Sequence, residues 1–195
     1  MPKNVVICAD PPWAFDDKLT MSDVKRGAQS HYPVLDINAI AALNVAALAA
    51  EKSVLALWCP SVMIEDGLHV IKSWGFKYKQ ICVWPKGRLG LGHLFRNKHE
   101  IALIATRGQY TKILKNHAQT TMLPIEDHKH SQKPESLQDR LELMFDGPYL
   151  ELFARRQRPG WTCVGNESDT TRDEDIRDTI TRMLMEDANT QEITE

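Results

Sequence analysis

Asp10-Pro11-Pro12-Trp13 follows directly on the apolar run Val5-Val6-Ile7-Cys8-Ala9, so the chain reads as a buried strand that ends in a rigid acidic turn. Two consecutive prolines hold φ near about −65° and remove two backbone donors, leaving carbonyls and one carboxylate, all of them acceptors. Such an edge suits an amine donor of the kind adenine carries. The lone pair of that amine is delocalised into its ring. If the Asp10 carboxylate and the Pro11 carbonyl each accept one N–H, the nitrogen is drawn toward sp³ geometry and can face an electrophilic methyl group. The catalysis is then positioning plus electrostatic stabilisation. Pro12 stiffens the turn, and Trp13 is expected to supply an aromatic wall for the base. The competing reading is that Pro-Pro ends a strand and Asp10 caps the next turn. The strand before the motif and the Trp after it weigh against that.

The elements that must position this turn follow from the rest of the pattern. Residues 14–35 are polar, mixed in charge and without period, and a long loop inside a compact domain is usually functional. Asp36 is a candidate N-cap for one Ala-rich helix, Ile37 to Ala50, leading into a strand from Ser53 to Trp58. Pro60 and Ser61 open an amphipathic helix to about Trp74, stopped by Gly75. Strands are expected from Tyr78 to Trp84, from about His99 to Thr106, from Tyr149 to Phe153 and from Trp161 to Val164, with a helix from Pro134 through Phe145. Strands alternating with helices indicate one α/β domain with a mostly parallel sheet, covered by helices on both faces. Ligands are expected beyond the carboxyl ends of the strands, where Asp10, Pro60, Pro85 and Asn166 fall. From Ser168 onward the tail is charged, but Ile176, Ile180, Met183 and Leu184 recur at helical spacing. It reads either as an amphipathic helix for packing or a partner, or as a solvated helix frayed at its end.

Composition narrows the class. A chain of 195 residues with 43% hydrophobic and 26% charged residues and a formal charge of −2 is ordinary for a soluble globular domain. No whole-protein basic field exists, so nucleic-acid binding would need a local patch. The first apolar run is too short for a signal or a membrane span, which points to the cytoplasm. Cys8, Cys59, Cys82 and Cys163 sit in or beside apolar strand-like runs without a C-x-x-C pair, so we expect buried reduced thiols and no metal.

Four blocks in order now resemble one family: Asp10-Pro11-Pro12-Trp13; His31-Tyr32-Pro33; Ser131-Gln132-Lys133-Pro134; and Glu151-Leu152-Phe153-Ala154-Arg155, followed by Trp161 and Gly165-Asn166-Glu167. Together they resemble the MT-A family of S-adenosylmethionine-dependent adenine methyltransferases, which includes the catalytic subunit of the eukaryotic messenger-RNA enzyme and small bacterial and phage DNA enzymes. The resemblance covers roughly residues 4–167. It implies a Rossmann-like methyltransferase core over residues 1–167, with the catalytic block ahead of the main cofactor block and a charged, partly helical tail over residues 168–195. That order accounts for the lack of G-x-G-x-x-G after the first strand. By resemblance, S-adenosylmethionine is the cofactor. Lys133 pairs with the carboxylate of its methionine part, Arg155, Asn166 and Glu167 contact its ribose and adenine, and Ala9, Asp10, Leu152 and Phe153 complete its site. An ammonium suits a carboxylate point charge; the bland alternative is a solvated lysine before a helix. Arg155 and Arg156 are adjacent and can trade roles. The family often has Gln where this chain has Glu167, and His where it has Gln132. Tyr32 resembles the aromatic residue near the target base, with ordinary loop packing as the alternative. Trp58 and Trp84 read as core.

Lys86, Arg88, Arg96 and Lys98 share one Gly-containing stretch with His93 and Phe95, which suits phosphate contacts; a solvated face is the alternative. His128-Lys129-His130 reads as a loop over the site. The expected activity is methylation of the 6-amino group of adenine in DNA. The alternatives are adenine in RNA, the exocyclic amine of cytosine, and a non-catalytic nucleic-acid-binding subunit. A homodimer is plausible on size.

Overall fold

A computed structural model describes residues 3–14, 35–90, 94–126, 132–169 and 171–192, with side chains to residue 189. Strand β1 (Asn4–Ala9) has the alternation of a strand buried on both sides: Ile7 and Ala9 join one apolar cluster, Val6 and Cys8 the other. It pairs in parallel with β2 (Ala49–Cys59) and β5 (Tyr149–Leu152), and β5 in turn with β6 (Trp161–Val164). On the other side β4 (His99–Arg107) runs antiparallel to both β2 and β3 (Lys77–Pro85). The six-stranded order is β3-β4-β2-β1-β5-β6. The sheet is therefore mixed: β4 alone runs against the other strands. Consequently the start of β4 lies at the same edge as the ends of the others, with Glu100 opposite Trp84. Helices cover both faces, as in a Rossmann-like methyltransferase core.

One face carries α1 (Ile37–Ala41), α2 (Val45–Leu48), α3 (Ile64–Ser73) and α5 (Ile176–Glu192). The other carries α4 (Ser136–Met144) and the segment around Leu123. The Ala-rich stretch expected as one helix from Ile37 to Ala50 is instead two short helices and the first residues of β2. Leu43 and Val45 are both buried. At about 100° per residue they would point to nearly opposite sides of one continuous helix, so the chain turns at Asn44 to bury both. Asp36 caps α1 as expected, accepting the Ala39 N–H at 2.8 Å. After α3, Gly75 takes φ 78°, and the Phe76 N–H reaches back to the Ile71 carbonyl at 3.0 Å. Helix α5 buries Ile176, Ile180 and Met183 in the first cluster. The outer edge of β3 is covered: Val83 donates to Thr121, and Leu123 donates back to Val83. The four cysteines are free and buried. Among the described residues no helix is long and apolar enough to cross a membrane.

Candidate active site

Where β1 ends, the Asp10 N–H reaches the Leu152 carbonyl of β5 at 3.4 Å, and the side chain leaves the sheet edge about one-fifth exposed. The two prolines and their neighbours are clamped. The Pro11 carbonyl accepts the Trp13 N–H at 2.9 Å, the Pro12 carbonyl accepts the Leu35 N–H at 3.3 Å, and the Trp13 indole N–H donates to the Trp58 carbonyl at 2.9 Å. Trp13 is 4% exposed and packs in the first apolar cluster, so it anchors the turn from beneath and does not wall the cavity. One lone pair of the Pro11 carbonyl is occupied in this way, and the second remains for another donor.

Opposite Asp10 stands Lys133, brought in just ahead of α4. Its Nζ lies 3.0 Å from Asp10 Oδ1, 3.4 Å from Glu100 Oε2 and 5.6 Å from the ring centroid of Trp58. Glu100 in turn takes Lys86 Nζ at 2.8 Å, and that ammonium sits 3.4 Å over the Trp84 ring. The result is a row of alternating charge, Asp10, Lys133, Glu100, Lys86, along the sheet edge. Burial pushes the Lys133 ammonium toward deprotonation, but Asp10 and Glu100 outweigh it and hold its pKa above the usual lysine value. Burial likewise raises Glu100, and Lys133 and Lys86 together bring it below the usual carboxylate value.

Beneath this row a cavity of about 350 Å³ opens between the ends of β1, β5 and β6 and the start of α4. Asp10, Lys133, Glu151, Phe153, Arg155 and Glu167 line it. Phe153, directly after β5, takes φ 63°, a left-handed conformation that bulky residues avoid. Gly165 lets the loop after β6 lie against the loop after β5: a Cβ there would stand 2.4 Å from the backbone N and O of Ala154. Beside it, Glu167 Oε1 is buried with no hydrogen-bond partner among the described residues. Arg156, which also lines the cavity, is held by Gln138 Oε1 at 2.8 Å and Glu135 at 3.2 Å. Glu151, part of β5, points at the cavity and is held by Gln138 Nε2 at 3.0 Å; burial raises its pKa above the usual glutamate value despite that contact and the nearby Arg156.

The structure thus brings together Asp10, Lys133, Phe153, Arg155 and Glu167 among the residues expected from sequence. Ala9 and Leu152 are 0% exposed and do not line the cavity; Leu152 meets the site through its carbonyl, which accepts the Asp10 N–H. Asn166 does not line the cavity; its carbonyl accepts the Asp173 N–H. Arg88, Arg96 and Lys98 are exposed on the arm between β3 and β4. Tyr32, with His31 and Pro33, lies outside the described residues, as do His93, His128-Lys129-His130 and Ser131. Sequence reading missed Glu100 and Glu151. The available signal was a carboxylate within the strand run from Tyr149 to Phe153, at Glu151, and one at the head of the apolar run that begins at Ile101, at Glu100, where an unpaired charge is costly.

The sheet with helices on both faces, the acidic Pro-Pro turn beyond β1 and the cavity of about 350 Å³ beside it fit a Rossmann-like methyltransferase core. A sequence profile of the MT-A70 family matches residues 4–167, and the chain belongs to that family. It is 29% identical over 181 residues to the type II methyltransferase M.MunI of a Mycoplasma species, covering 85% of this chain and 78% of that one. It is 31% identical over 185 residues to the human N(6)-adenine-specific methyltransferase METTL4, covering 83% of this chain. It is 28% identical over 184 residues to a Drosophila melanogaster N(6)-adenosine-methyltransferase MT-A70-like protein, covering 87% of this chain. The chain spans 37% of the human relative and 28% of the fly one.

Proposed function

We propose that the protein transfers a methyl group from S-adenosylmethionine to the 6-amino group of adenine in DNA. The observation that carries this reading is the Asp10 carboxylate, held on a clamped Pro-Pro turn at the mouth of the cavity, 3.0 Å from the Lys133 ammonium.

The residues present fit the cofactor. Its carboxylate matches Lys133, and its hydroxyl or amine donors match the unpartnered Glu167 Oε1. The cavity is within the usual range for such ligands. When bound, the cofactor supplies the electrophilic methyl group. Asp10 and the free lone pair of the Pro11 carbonyl accept the two N–H groups of the target amine and aim its nitrogen lone pair. The same carboxylate stabilises the positive charge that develops on that nitrogen, and takes up a proton only after transfer. Lys133 is shared: in the structure it neutralises Asp10, and on the cofactor's carboxylate it would leave Asp10 open to the amine. Glu100, 3.4 Å from Lys133 Nζ, helps hold that ammonium beside Asp10. The polymer is taken as DNA on the likeness to the type II methyltransferase, of which the chain covers 78%.

The test is incubation with methyl-labelled S-adenosylmethionine and, separately, unmethylated duplex DNA, single-stranded DNA and RNA, followed by nucleoside mass spectrometry. N6-methyladenine from DNA is expected. Label on cytosine would overturn the base assignment, and label on RNA alone would overturn the polymer.

A further inference from the structure

We propose that Leu94 and Phe95 form a wedge that enters the base stack of duplex DNA and fills the gap left when the target adenine is turned out. This rests on the methyltransferase reading above. In a duplex the 6-amino group lies inside the stack, so an enzyme acting on it must extrude the base and meet the unstacking penalty. Apolar side chains inserted at the step are a physical means of doing so.

Leu94 is 94% and Phe95 86% exposed, more than any other large hydrophobic side chain among the described residues, and Leu89 on the same arm is 62% exposed. Water-facing groups of this size leave apolar area unburied, and an exposed apolar cluster marks a binding surface. The arm is braced: the Lys86 N–H donates to the Lys98 carbonyl at 2.8 Å, and the Gly90 N–H to the Asn97 carbonyl at 2.6 Å. The Arg96 Nε–H closes the turn on the Gly90 carbonyl at 2.6 Å. Its root is wired to the catalytic edge, because Lys86 holds Glu100 and Glu100 holds Lys133, which reaches Asp10.

Charge selects the partner. Exposed Arg88, Arg96 and Lys98 flank the apolar pair, so the surface asks for something anionic outside and apolar between. Stacked bases between phosphate strands have that pattern. A second copy of this chain, with its formal charge of −2, offers no comparable polyanion.

The test uses the full chain with Leu94→Ser and Phe95→Ser together, and unmethylated genomic DNA either duplex or heat-denatured. The ratio of duplex to single-strand methylation should fall about tenfold, the scale of one base-stacking interaction, with the solution mass unchanged by light scattering. The pair Leu94→Met and Phe95→Tyr should restore most of the ratio. An unchanged ratio, an equal loss on both forms, or a drop in solution mass that marks the arm as an interface between copies would overturn the wedge. A wild type active only on single strands overturns the wedge alone, whereas a wild type that methylates neither form overturns the methyltransferase reading and the wedge with it.

Discussion

On the β1, β5 and β6 side of the sheet, functional groups stand at the ends of strands buried on both faces; Ile7, Leu150 and Leu152 are 0% exposed. On the β3–β4 side the described residues of the connecting arm are mostly exposed, with Phe95 86% exposed. The first region has fixed geometry and paired charge: Asp10, Lys133 and Glu100 lie within 3.4 Å of their neighbours. The second has exposed cations and unburied apolar groups. Under the proposed function, chemistry that depends on sub-ångström placement would fall to the first and capture of a long polyanion to the second. Glu100 joins the two, and it can do so only because β4 is reversed and begins where its neighbours end.

The sharpest break between the regions comes from Lys133→Ala. A charge-assisted hydrogen bond is worth about 1.5–3 kcal/mol, so the dissociation constant for S-adenosylmethionine should rise roughly 10- to 150-fold by calorimetry. Nucleic-acid affinity should change far less. An unchanged cofactor constant would remove Lys133 from that site.

The converse variant replaces Arg88, Arg96 and Lys98 by Ala. The slope of log affinity against log salt should flatten by about 0.7–0.9 for each phosphate that no longer meets a cation. The Michaelis constant for nucleic acid should rise while cofactor binding stays intact. If the slope does not move, the arm's cations are solvated surface.

The smallest effect sharpens the buried region from within. Because burial raises the Glu151 carboxyl above its ordinary value of 4.5, the folded chain binds that proton more tightly than the unfolded one. Ionised Glu151 therefore opposes folding at neutral pH, and the penalty fades as pH falls toward 4.5. Glu151→Gln should raise the melting temperature at pH 7, with no gain at pH 4. An equal gain at both values would deny the raised carboxyl. Glu100 has the opposite sign: its contribution is present at neutral pH and lost as the medium acidifies below 4.5.

How far the sequence reveals these features depends on whether a residue's partner is near in sequence. The strand before Asp10, the cap at Asp36 and the stop at Gly75 are local patterns, and each lies where its pattern indicates, whereas Lys133 and Glu167 entered through the family resemblance and both line the cavity. Glu100 and Glu151 stood out only as carboxylates at or in strand runs; what pairs them was not legible, because Lys133, Lys86 and Gln138 come from elements 13 or more residues away. Trp13 was misplaced for a similar reason: its indole donor is claimed by the Trp58 carbonyl, 45 residues away. The Ala-rich stretch misled because propensity favours one helix while burial of both Leu43 and Val45 requires a turn.

If Asp10 works on the transition state, single-turnover methyl transfer by Asp10→Asn against wild type exposes it. The amide keeps shape and one acceptor but loses the charge. The rate should fall roughly 10²- to 10³-fold, the usual cost of removing a preorganised electrostatic group, with N6-methyladenine still the product and the constants for S-adenosylmethionine and DNA nearly unchanged. Near-normal turnover by the variant, or a rate loss matched by an equal loss of cofactor binding, would contradict it.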